Sequence, residues 1–168
     1  MPINDVLLLA LTAGFIAIMI WCAVSDIRDR RIPNVAVLAL LALFVPWTLL
    51  QLGANFLSGI AAAAIALVVT VILYIFKIVG AGDAKLFASA SLFVGLAQLP
   101  HLALATVLAG GVIALISLVT RPRRGLVMVM MKGRGDYGRG IPYGVAIAAG
   151  SIIVLCRGIA GAASVLAV

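Results

Sequence analysis

Two aspartates, Asp26 and Asp83, have the type and placement to do chemistry in this chain. All five acidic residues of the protein are Asp, at positions 5, 26, 29, 83 and 136. Asp26 closes the first long apolar run, and Asp83 stands just before a later one. Carboxylates at a membrane boundary are costly to place and point to function. Two of them brought together are the minimum equipment for aspartyl hydrolysis. Like charges at close range do not both ionise easily, so one carboxyl keeps a proton while the other takes one from water. Asp83 ends the string Gly80-Ala81-Gly82-Asp83. Glycines there allow close backbone approach and positive φ, which suits an irregular junction leading into a helix. A purely structural alternative makes Asp83 the N-cap of that helix, a position Asp fills well.

The elements that must position these acids are transmembrane helices. The chain is 65% hydrophobic with a mean hydropathy of +1.32, too apolar for a 168-residue soluble globule. The expected fold is all-α: a single polytopic membrane domain over residues 1–168 with about six spans, at approximately 6–24, 35–52, 56–76, 84–99, 102–119 and 141–157. About 20 residues cross the ~30 Å hydrocarbon core, so the fourth span is short, as is the sixth if it stops at Arg157. Pro46 lies inside the second and should kink it. The first run begins after one acid and no basic residue, which does not fit a cleavable signal peptide.

The basic residues alternate by loop. Arg28, Arg30 and Arg31 fall in the first, Lys77 and Lys85 in the third, and Arg121, Arg123, Arg124, Lys132, Arg134 and Arg139 in the fifth. The second and fourth loops have none; Arg157, near the end of the last span, is the exception and can snorkel. The positive-inside rule then makes the odd loops cytoplasmic and places both termini outside. Asp26 and Asp83 share the cytoplasmic face, where a folded bundle can bring them together. The net charge of +7 reports this topology, not nucleic-acid binding. Cys22 and Cys156 lie in apolar runs, with no C-x-x-C and no His cluster. They read as packed free thiols with no metal or cofactor site.

The first loop reads Asp26-Ile27-Arg28-Asp29-Arg30-Arg31-Ile32-Pro33-Asn34, and the last span opens with Ile141-Pro142-Tyr143-Gly144-Val145-Ala146. A topogenic loop explains the arginines but not the acid at the span end or the Ile-Pro-Asn exit. Together with Gly80-Ala81-Gly82-Asp83, this pattern resembles the type IV prepilin and preflagellin peptidases, intramembrane aspartyl proteases that remove leader peptides. The resemblance covers nearly the whole chain in size, span count and motif order. It implies Asp26 and Asp83 as the catalytic pair and Gly80 and Gly82 as motif glycines. It also implies a prepilin or pseudopilin substrate, cleaved at the cytoplasmic edge of its hydrophobic segment. Bifunctional members carry an insertion with paired C-x-x-C motifs and also methylate the new N-terminus. This chain has no C-x-x-C, and only five residues precede its first span. It therefore resembles the short form of Flp-type, tight-adherence pilus systems, and N-methylation is not part of the expectation.

Other readings compete at single positions. Asp29, within the basic run, is the rival of Asp26 and is expected instead to pair with Arg28, Arg30 or Arg31. Gly133-Arg134-Gly135-Asp136 is a second G-x-G-D string, but it sits in the most basic loop and no apolar run follows it directly. Lys85, two residues past Asp83, is a candidate contact for an acidic residue of the substrate or for anionic lipid, or simply a topology anchor. A proton- or cation-coupled transporter would place acids mid-span or show inverted repeats. A non-catalytic subunit of a pilus or secretion machine would not need both acids.

Overall fold

The computed structural model describes residues 3–51, 53, 56–120 and 143–166. Among these residues the fold is entirely helical, with no strand: α1 (Ile3–Asp29), α2 (Asn34–Leu50), α3 (Phe56–Ile75), α4 (Ala81–Val94), α5 (Leu99–Thr120) and α6 (Tyr143–Leu166). Three segments, Val6–Asp29, Phe56–Ile75 and Leu99–Ser117, are long and apolar enough to cross a membrane. Two shorter apolar helices, Asn34–Leu50 and Tyr143–Gly158, accompany them. Large apolar side chains such as Leu38, Leu57, Val68, Val107 and Leu115 face outward, as a polytopic membrane protein requires.

Two boundaries differ from the hydropathy reading in ways that matter. The first helix does not stop at residue 24 but runs to Asp29, so Asp26 projects from a regular helix. Arg30 ends it in the left-handed region (φ 54°), with its N–H donating to the Asp26 carbonyl at 3.2 Å. The Ser25 hydroxyl donates to the Arg31 carbonyl at 2.8 Å and ties the connection back onto α1. Pro33, fixed at φ −64°, then caps α2. The fourth span is also shorter than expected: α4 ends at Val94, and Gly95 (φ 75°) turns the chain toward α5. Its 14 residues reach about 21 Å, short of the ~30 Å apolar core. The last helix continues past Arg157, and α2 runs through Pro46 without interruption.

This short helix is the centre of the fold. α4 packs against α2, α3, α5 and α6 and reaches α1 through Phe93. Phe93 sits 4.7 Å from Phe15, 5.6 Å from Phe44 and 5.5 Å from Trp47, ring centre to ring centre. Such tilted and edge-on contacts are the favoured geometries for aromatic pairs. The rest of α4 is small: Ala84, Ala88, Ser89, Ala90 and Ser91 are all buried. Small residues let helix backbones approach. The approach is closest at Gly59 of α3, where a Cβ would lie 2.5 Å from the Leu92 carbonyl oxygen. Buried hydroxyls do not need partners on other helices. Ser89, Ser91, Thr70 and Ser151 each donate to the carbonyl four residues back, which satisfies them without water.

Candidate active site

Asp26, at the end of α1, and Asp83, at the start of α4, lie near enough for the charge of one to act on the other. Asp26 lies on the last full turn of α1 and is buried, at 7% exposure. Asp29, three residues on, is exposed. Residues three apart share a helix face, so the difference is one of height: α6 covers α1 at Asp26, whereas Asp29 is the last residue of the helix. Of the two acids in the first motif, the structure therefore brings Asp26 into the interior and leaves Asp29 at the surface.

Asp83 is in the first turn of α4, and the cap of that helix is Gly80, in extended conformation at ψ 151°. The N-cap alternative for Asp83 does not hold. Asp83 occupies the third helical position and reaches back to the backbone N–H of Gly80, as the acid of a capping box does. Gly80 leaves the space this needs, since a Cβ there would sit 3.0 Å from Asp83 Oδ2. The carboxyl is partly buried. It accepts from the Gly80 N–H, and Asp26 lies near enough for its charge to act on it.

The three sequence motifs converge here. Ile32, of the Ile-Pro-Asn exit, covers Gly82 of the second motif, where a Cβ would come within 3.4 Å of the Ile32 Cβ. The third motif touches Asp26 itself. The Gly144 N–H, at the start of α6, donates to Asp26 Oδ2 at 2.8 Å in a buried bond. Val145 supplies a second backbone contact, and Arg30 lies close enough for its charge to act. The sequence gives Gly144 no individual role beyond its place in the Ile-Pro-Tyr-Gly string that opens the last span. Lys85 is exposed. Two residues past Asp83 on a helix, it is turned about 200° away from that carboxyl. The second G-x-G-D string, with Asp136, lies outside the described residues, as do the basic residues of the fifth loop.

Two neighbouring carboxyls of this kind, each accepting from backbone N–H groups, can share a proton and activate a water molecule. Searches of curated proteins and of solved structures returned no match. The model of the type IV leader peptidase family matches residues 13–115. That stretch contains Asp26, the Ile-Pro-Asn exit, Gly80, Gly82 and Asp83, and it ends before Asp136. On this match over more than half its length, the chain belongs to the type IV leader peptidase family.

Proposed function

We propose that the protein is an intramembrane aspartyl endopeptidase that removes the leader of type IV or Flp-like prepilins, with Asp26 and Asp83 as its catalytic pair. The observation that carries this reading is geometric: the Gly144 N–H donates to Asp26, Ile32 covers Gly82, and Asp83 opens α4 near enough to Asp26 for their charges to act on each other. Membership of a peptidase family whose substrates are prepilin leaders supports the reaction class.

The mechanism follows from the pair. The ionised carboxylate takes a proton from a water molecule held between the two acids. The hydroxide attacks the scissile carbonyl, and the protonated carboxyl donates to its oxygen as the tetrahedral intermediate forms. The proton taken from water then goes to the leaving amine as the C–N bond breaks, and the diol returns a proton to the second acid as the new carboxyl group forms, which resets the pair. Both ionisations belong to the pair. A prepilin presents a basic leader followed by an apolar helix. Cleavage falls where that helix leaves the membrane, the depth at which Asp26 and Asp83 sit under the positive-inside topology. Lys85 points away from the dyad and suits a lipid headgroup or the flank of the substrate better than the cleft.

Coexpression with a prepilin tests the proposal. Wild type is expected to convert precursor to mature pilin, and Asp26→Asn and Asp83→Asn to leave it unprocessed at equal membrane levels. Near-normal processing by either variant would refute the assignment.

A further inference from the structure

We infer that Gly144 is a positioning residue for Asp26, so that α6 forms a third wall of the active site; this rests on the aspartyl reading of the dyad. Two independent features of one residue point to it. The first is the donor: the Gly144 N–H bonds Asp26 Oδ2 at 2.8 Å across 118 residues of sequence. Gly144 is the second residue of α6. N–H groups in a first helical turn have no partner within the helix. Here one of them finds its partner in the carboxylate.

The second feature is space. A Cβ on Gly144 would lie 2.9 Å from Asp26 Oδ2, 3.0 Å from its Cβ and 3.1 Å from its Cγ. Real side chains do not approach this closely, so any other residue at 144 moves the carboxylate. Glycine is needed because the backbone itself must touch the acid. Asp26 is thereby gripped from the side opposite its own helix, and its position relative to Asp83 depends on where α6 starts. Gly144, at the start of α6, delivers an unobstructed N–H to the first acid of the pair.

A merely structural glycine gives a different signature. Gly150, two turns along the same helix, is packed as tightly against α5, where a Cβ would lie 2.8 Å from the Thr106 nitrogen. Gly150→Ala is the matched control. In purified full-length protein cleaving a prepilin peptide, Gly144→Ala should lower kcat by roughly 10- to 100-fold, the range for a displaced catalytic group, with KM changed less than about twofold. Gly150→Ala should lower the melting midpoint while keeping kcat per folded molecule. A second measurement needs no substitution at 144. In glycine-labelled protein in detergent, the Gly144 amide proton should resonate at low field and move upfield in Asp26→Asn, since a bond to a charged acceptor is the stronger one. A kcat within about twofold of wild type in Gly144→Ala, or a rise in KM alone, overturns the inference. So does a Gly144 resonance that ignores Asp26→Asn. If Asp26→Asn cleaves normally, the aspartyl reading fails first; if it is inactive while Gly144→Ala is normal, only the positioning role fails.

Discussion

At the scale of single residues, the sharpest contrast is between Asp26 and Asp29. They are one helical turn apart, yet one is buried against the start of α6 and the other is exposed. Substituting Asn at either preserves shape and removes the charge. Asp26→Asn and Asp83→Asn should each lower the cleavage rate by roughly 10²–10⁴-fold, the contribution of a general acid or base. Asp29→Asn should stay within a few-fold of wild type in the same prepilin assay; an inactive Asp29→Asn would move the first acid to the wrong residue.

At the scale of elements, α4 holds the site together, and its contacts divide into legible and illegible ones. The glycines before Asp83 announced close packing in the sequence itself. Their partners did not appear there. That Gly59 touches the Leu92 carbonyl, or that Ile32 roofs Gly82, depends on which helices become neighbours, and no local pattern encodes it. The end of α1 was misplaced for a different reason. Hydropathy drops at Ser25, whereas the helix persists for another turn and is ended by Arg30 in a left-handed conformation that usually calls for glycine. Gly144 was visible as part of a motif but not as a donor, because its bond crosses 118 residues of sequence. These contacts give two tests. Gly59→Ala forces a methyl against backbone and should destabilise the protein by about 1–3 kcal/mol, read from thermal or denaturant unfolding in detergent. Gly82→Val meets Ile32 and should reduce cleavage more than it reduces membrane insertion. Equal losses of both would make Gly82 a folding residue only.

At the scale of the whole molecule, the helices of the described residues bring Asp26 and Asp83, separated by 57 positions in the chain (83 − 26), near enough for their charges to act on each other. The loop charges predict both termini outside and the dyad at the cytoplasmic face. A reporter fused at the C-terminus should behave as exported and one fused within 121–139 as cytoplasmic; a cytoplasmic C-terminal reporter would remove one crossing. Everything proposed for the chemistry depends on Asp26 and Asp83 forming one site, and proximity tests that most directly. With Cys22 and Cys156 replaced by serine, the pair Asp26→Cys and Asp83→Cys should be joined by a short thiol crosslinker in native membranes, while Asp29→Cys with Asp83→Cys should react far less. Failure of the first pair to crosslink even with a linker of about 10 Å, well beyond the spacing at which two carboxyls share a proton, would contradict the dyad and the proteolytic mechanism built on it.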